Sequence, residues 1–214
     1  MVTIIDYGAG NLGSVRLSLE YLGFKARVAS ERSAVLDAER IVFPGVGAIA
    51  AAMKNLIKMG LAETLREVVA RGVPFLGICL GAQAVFERSD ENGGTQGLGI
   101  MPGSVKAFNR DKCGAERFKI PHMGWNNIRL KRDHPVLRGI TDGSSFYFVH
   151  GYYPVPLDEK HVLAETEYSG TRFASVVGRD NIVATQFHPE RSGRLGLKLL
   201  DNFCRWDGAS GGLC

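Results

Sequence analysis

The chain has 214 residues, of which 45% are hydrophobic and 22% charged, with a formal net charge of +4; this predicts one globular domain with a proper core. The basic residues are scattered, Lys131-Arg132 reading as a solvated turn, so a nucleic-acid surface is not expected. Cys79, Cys113, Cys204 and Cys214 form no C-x-x-C pair, which argues against disulfides and a zinc site and for a reducing, cytoplasmic compartment, and no apolar run approaches the roughly 18 residues of a membrane span.

The opening Met1-Val2-Thr3-Ile4-Ile5-Asp6 has no basic leader region, so no targeting segment is expected. Residues 2–6 read as a buried strand and Tyr7-Gly8-Ala9-Gly10-Asn11 as a turn. Leu12, Val15, Leu19 and Leu22 then recur at helical spacing, and Gly23 closes that helix. Gly8-Ala9-Gly10 lacks the register of a dinucleotide fingerprint. Strands at 25–29 and 40–43 follow, separated by a turn-like stretch at 30–39, and the alternation indicates a parallel sheet. The third strand runs into Pro44-Gly45-Val46-Gly47, either an ordinary turn or a place for close approach of a ligand. A helical stretch spans 48–71, interrupted at Gly60.

At 73–87 a short apolar run meets Gly77-Ile78-Cys79-Leu80-Gly81, and a helical pattern begins at once, with Gln83, Phe86 and Glu87 available for its faces. This is a strand-turn-helix elbow. Glycines on both sides of Cys79 remove Cβ atoms that would clash in so sharp a turn. A helix N-terminus favours the thiolate, which is the nucleophilic form. A small buried hydrophobe is the competing reading of such a cysteine, and only a partner base decides between them.

Beyond a polar loop at 89–97, short strand-like runs predominate (105–108, 127–130, 146–149, 161–167, 172–177 and 182–185), predicting antiparallel pairing. A last helix covers 192–204, with Ser192 as N-cap and Leu195, Leu199, Leu200 and Phe203 on one side. Residues 1–204 are expected to form one domain and the glycine-rich 205–214 a flexible tail.

Among His122, His134, His150, His161 and His188, only His188 ends a strand-like run with a carboxylate two residues on, in Gln186-Phe187-His188-Pro189-Glu190. Positions i and i+2 share a face of an extended chain, so Glu190 can orient the imidazole. His150 also ends a strand but has no acid nearby, and a satisfied structural or substrate-side role suits it better.

The elbow Gly77-Ile78-Cys79-Leu80-Gly81 together with His188-Pro189-Glu190 resembles the class I glutamine amidotransferases. Tyr7-Gly8-Ala9-Gly10-Asn11, Phe43-Pro44-Gly45-Val46-Gly47, Pro121-His122-Met123-Gly124-Trp125-Asn126 and Tyr147-Phe148-Val149-His150 narrow the resemblance to the glutaminase subunits of imidazole glycerol phosphate synthases, over nearly the whole chain. Gly151 departs from the serine more usual there.

The resemblance implies an α/β, flavodoxin-like fold: a central mixed, largely parallel sheet flanked by helices, with a small antiparallel extension. It implies hydrolysis of L-glutamine to glutamate and ammonia by a Cys79, His188, Glu190 triad, without metal or cofactor. Backbone N–H groups of Val46, Gly47 and Leu80 would form the oxyanion hole. Gly47, Gln83, Gly151 and Tyr152 would contact glutamine. The implied partner is a barrel-shaped cyclase subunit, in a heterodimer that channels ammonia, with Asn11, Met123, Trp125 and Arg191 near the contact, and with Pro44-Gly45-Val46-Gly47 reorienting when the cyclase is bound. Glutaminases feeding anthranilate, guanylate or pyridoxal phosphate synthesis share the triad but lack the Pro-His-Met-Gly-Trp-Asn stretch. A non-catalytic binding subunit is disfavoured by the intact triad, and a thiol protease by the absence of any sign of a large cleft.

Overall fold

A computed structural model describes residues 1–8, 10–108 and 119–209. Ala9, Cys113, Cys214 and the Gly211-Gly212 pair of the expected tail lie outside the described residues. In chain order the elements are β1 (Val2–Ile5), α1 (Leu12–Tyr21), β2 (Ala26–Ala29), α2 (Arg32–Leu36), β3 (Ile41–Gly45), α3 (Ile49–Lys58), α4 (Leu61–Ala70), β4 (Phe75–Cys79), α5 (Leu80–Ala84) and β5 (Phe86–Ser89). They continue with β6 (Thr95–Gln96), β7 (Met101–Ala107), β8 (His122–Asn127), β9 (Arg129–Leu130), β10 (Ser145–His150), β11 (Tyr152–Pro156), β12 (Val162–Tyr168), β13 (Thr171–Arg179), β14 (Ile182–Thr185) and α6 (Gly193–Arg205).

The main sheet has the order β2-β1-β3-β4-β14-β13-β12-β9. Its first five strands are parallel, and β13, β12 and β9 extend it antiparallel. Strands β1, β3, β4 and β14 are buried along their whole length, because helices cover both faces and leave no side of the pleat for water. Val35 of α2, Leu56 of α3 and Leu65 of α4 pack in one core; Val15 and Leu19 of α1 pack with Leu199 and Phe203 of α6 in the other. Two small sheets, β10-β8 and β11-β7-β5-β6, are added by the second half of the chain.

Local sequence explains several boundaries. Gly23, at φ +83, closes α1 with bonds from its N–H to the Glu20 carbonyl (2.9 Å) and from the Phe24 N–H to the Leu19 carbonyl (3.0 Å), the paired bonds of a glycine-terminated helix. Gly60, at φ +69, divides the expected 48–71 stretch into α3 and α4.

Five expectations need correction. Residues 30–39 are not all turn, since α2 buries Val35 there. The helix after Cys79 stops at Ala84, and Phe86 and Glu87 lie in β5. The cause is tertiary: the Leu98 N–H takes the Ala84 carbonyl at 2.7 Å and β7 pairs with β5, so sheet pairing overrides a helical pattern. Strands β6, within the stretch read as a loop, β8 and β11 went unread; β11 carries Pro154 and Pro156 and stands at a sheet edge, where proline is tolerated. Ser192 precedes α6 without a side-chain cap; its hydroxyl donates to the His188 carbonyl (2.6 Å) and accepts from the Tyr147 N–H (3.0 Å). Finally, α6 runs through Arg205 and Trp206 is 3% exposed, its carbonyl held by Arg40 at 2.6 Å, so neither residue belongs to a tail. No helix among the described residues is long and apolar enough to cross a membrane.

Candidate active site

The carboxyl ends of the parallel strands bring the singled-out residues together. In the β3–β4 ladder Gly45 lies opposite Cys79, and in the β14–β4 ladder Thr185 lies opposite Ile78. The Pro44-Gly45-Val46-Gly47 segment therefore borders the elbow on one side and Gln186-Phe187-His188 on the other. Strand order reverses between β1 and β3, and the crevice at such a reversal is where open α/β sheets take ligands.

Cys79 adopts φ +53, ψ −101, strained for a residue with a Cβ and held only because its surroundings leave no alternative. A Cβ on Gly81 would come within 1.8 Å of the Phe43 carbonyl oxygen, and one on Gly77 within 2.8 Å of the Gly81 oxygen. Both glycines are thus required by backbone approach, as the elbow reading expects. Cys79 is 6% exposed. Its thiol donates to the Val149 carbonyl at 3.8 Å, and its sulfur accepts from Gln186 Nε2 at 3.7 Å.

His188 Nδ1 lies 2.7 Å from Glu190 Oε1, with the two side chains 4% and 2% exposed. Nε2 of His188 is buried without a hydrogen-bond partner among the described residues. Burial alone would lower the affinity of this imidazole for its proton, but Cys79 and Glu190 outweigh burial and raise it well above the usual histidine range. The backbone of His188 is itself fixed, its N–H donating to the Tyr147 carbonyl at 2.9 Å.

Gln83 is buried, and its Nε2 donates to the Tyr152 carbonyl and to Gln186 Oε1, both at 3.0 Å. Gly47 has φ +93, and Val46 beside it is 44% exposed. The N–H of Leu80 opens α5, where the first amides of a helix have no intrahelical acceptor. Asn11 caps α1, its Oδ1 accepting from the Ser14 N–H at 3.5 Å. Met123 and Trp125 point outward from β8, 64% and 58% exposed. Trp125 packs edge-on against Tyr147, and the Arg191 guanidinium lies 4.6 Å above the same Tyr147 ring. Three of the four expected contact residues therefore share one exposed patch, while Asn11 has a local capping task.

Two residues escaped the sequence reading. Gln186 touches the thiol, and its spacing of two from His188 was the available signal. Tyr7, two residues beyond the end of β1, has its hydroxyl buried and unpartnered among the described residues. A Cβ on Gly45 would come within 2.4 Å of that oxygen. Burial first, and then the nearby Cys79, push Tyr7 up to about 12, with the Val46 backbone acting the other way.

His150 has a satisfied place in the core. Its Nδ1 donates to the Tyr152 carbonyl at 2.7 Å, so its neutral Nε2 accepts from His122 Nδ1 at 3.0 Å, and His122 Nε2 faces Asn126 Nδ2 at 3.3 Å. Burial holds His122 down to about 4 and His150 down to about 3. The unfolded chain takes up these protons near pH 6.5 while the folded one refuses them. Stability present above that pH is therefore lost as the pH falls toward 4. Urea unfolding at pH 7 and pH 5 should show a fall of roughly 3 kcal/mol from this pair. Equal stability at the two values would mean the pair is charged or solvated.

Residues 3–206 match the family described as Glutamine amidotransferase class-I. The imidazole glycerol phosphate synthase subunit HisH of Chromobacterium violaceum is 49% identical over 211 residues, 97% of this chain and 98% of that protein. The corresponding subunit of Syntrophotalea carbinolica is 48% identical over 204 residues, 95% of this chain and 98% of that protein. A crystal structure of a glutamine amidotransferase superposes with a TM-score of 0.72 at 17% identity, covering 95% of this chain and all of that one, which is likeness of fold.

Proposed function

The chain belongs to the class I glutamine amidotransferases, and we infer that it is the glutamine-hydrolysing subunit of an imidazole glycerol phosphate synthase, acting in histidine biosynthesis. The observation that carries this is the identity of nearly half, sustained over nearly the full length of both chains, with the HisH subunits. As a subunit it works with a partner, and we take that partner to be a barrel-shaped cyclase that consumes the ammonia in a shared cytoplasmic complex.

In the proposed mechanism Cys79 passes its proton to the unpartnered Nε2 of His188, and the thiolate attacks the glutamine carboxamide carbon. The resulting oxyanion is held by the Leu80 N–H and by the Val46–Gly47 backbone. The imidazolium, steadied by Glu190, protonates the amine nitrogen as the C–N bond breaks, releasing ammonia and leaving a γ-glutamyl thioester. Water, deprotonated by His188, then cleaves the thioester to glutamate and restores the thiol. The raised proton affinity of His188 suits this sequence, because Cys79 and Glu190 both favour its charged form. Gln83 and the Gly151–Tyr152 backbone are assigned to glutamine.

Ammonia released into water is protonated and lost as a nucleophile, so the two subunits must dock directly. The patch of exposed Met123, Trp125 and Arg191 around the half-buried Tyr147 is assigned to that contact, exposed aromatics being favoured interface anchors. The test compares glutamine hydrolysis by the chain alone with hydrolysis after adding the cyclase and its phosphoribosyl substrate. Trp125→Ala should cut glutamine-fed cyclisation about tenfold or more while leaving cyclisation fed by external ammonium nearly intact. Equal losses on both feeds would remove Trp125 from the docking surface. Absence of glutamine hydrolysis under every condition would overturn the function.

A further inference from the structure

We propose that Gln186 is a positioning residue for this reaction: its carboxamide donates to the Cys79 sulfur and, through Gln83, ties the nucleophile to the surface that receives the substrate. The inference rests on the glutaminase reading above.

The orientation of the amide follows from a chain of acceptors and donors. The Tyr152 carbonyl can only accept, so the group of Gln83 that meets it at 3.0 Å is the NH₂. That same NH₂ meets Gln186 at 3.0 Å, so the Gln186 atom there must be its oxygen. The remaining amide atom of Gln186 is then the NH₂, and it stands 3.7 Å from Cys79 Sγ. Neither glutamine can be flipped without setting two donors, or two acceptors, against each other.

The backbone holds this arrangement in place. Gln186 is 1% exposed, and its N–H donates to the Ser175 carbonyl at 2.9 Å, continuing the β13 ladder past Thr185. Gln186, His188 and Glu190 alternate along one run, so the residue that contacts the sulfur precedes the base by two positions, as the base precedes its orienting acid.

The chemical consequence concerns the two forms of the sulfur. The Val149 carbonyl, 3.8 Å away, accepts from the protonated thiol and stabilises that form. An amide N–H directed at the sulfur does the reverse, because a donor bonds a charged acceptor more strongly than a neutral one. Once the proton moves to His188, Val149 loses its donor and Gln186 strengthens its bond. The NH₂ of Gln186 is thus the group that favours thiolate, while its oxygen holds Gln83 in register.

The two halves of the amide are separable by substitution. Gln186→Glu keeps an oxygen for Gln83 but places an acceptor against the sulfur; Gln186→Met removes both contacts at similar volume. Alkylation of Cys79 by iodoacetamide, followed against pH by mass spectrometry of its peptide in the full chain, should slow about tenfold at pH 7 in both variants. The profile should move to higher pH and reach the wild-type rate in alkali. In the complex with the cyclase, Gln186→Glu should lower kcat with little change in KM for glutamine, and Gln186→Met should lower kcat and raise KM. Folded variants whose alkylation profile coincides with wild type would overturn the proposal. Should both fail to fold, Gln83→Met frees the Gln186 oxygen and must move the profile in the same direction; a stationary profile there overturns it equally. Alkylation requires no glutamine, so a wild-type chain with the expected profile but no glutaminase activity would refute only the functional reading.

Discussion

Cys79→Ala is expected to remove glutamine hydrolysis by about 10⁴-fold or more, because no other group can form the thioester and members of a catalytic triad fail as a unit. The fold should survive. Alanine keeps the Cβ that the strained φ of +53 already accommodates, and only the sulfur contacts to Val149 and Gln186 are lost. Thermal unfolding should therefore shift little while turnover vanishes. An electrophilic glutamine analogue should label Cys79 and leave Cys113, Cys204 and Cys214 untouched. Cys204 is a poor competitor, since burial pushes its thiol up to about 12. Labelling of any of those three with Cys79 left free would remove Cys79 from the nucleophile's place.

His188→Ala should cost nearly as much, because both the proton taken from the thiol and the proton given to the leaving ammonia pass through Nε2. Glu190→Gln is expected to cost roughly two orders of magnitude less than His188→Ala, since the carboxylate orients and stabilises the imidazolium without taking the proton. The 2.7 Å contact between Glu190 Oε1 and His188 Nδ1 is the geometry that comparison probes. Steady-state turnover in the complex measures the ordering. Full activity in Glu190→Gln would show that the imidazole is held by other contacts, such as its backbone bond to the Tyr147 carbonyl.

Most of the parallel half was legible because its signals are local. Apolar runs at 2–6, 40–43 and 73–79, glycines at helix ends and the break at Gly60 depend on neighbours within a few residues. The elbow belongs with them in part: Gly77 is required by the turn itself, where an added Cβ would come within 2.8 Å of the Gly81 oxygen, whereas Gly81 is required by the 1.8 Å approach to the Phe43 carbonyl of the neighbouring strand β3. The pairing of His188 with Glu190 was legible for the same reason, two positions apart in extended chain. These residues indicated a parallel α/β sheet and a candidate nucleophile with its base; the fold family and the glutaminase reaction were what the resemblance implied.

Tertiary structure decided what depends on partners far along the chain. Phe86 and Glu87 fit a helix until β7 captures them as strand, and the short, mixed runs of β8 and β11 become strands only by pairing with β10 and β7. Arg205 and Trp206 read as the start of a tail, but the first ends α6 and Arg40, from the far side of the sequence, holds the carbonyl of the second. His150 and His188 both follow strand-like runs, and Glu190 already set the second apart in the sequence. The structure adds that His122 and the Tyr152 carbonyl saturate the first, while Nε2 of the second has no hydrogen-bond partner among the described residues. The contacts of Gln186 and the burial of the Tyr7 hydroxyl were hidden likewise, since a buried polar group shows its partners only in the fold, and register between distant strands sets which atom it faces.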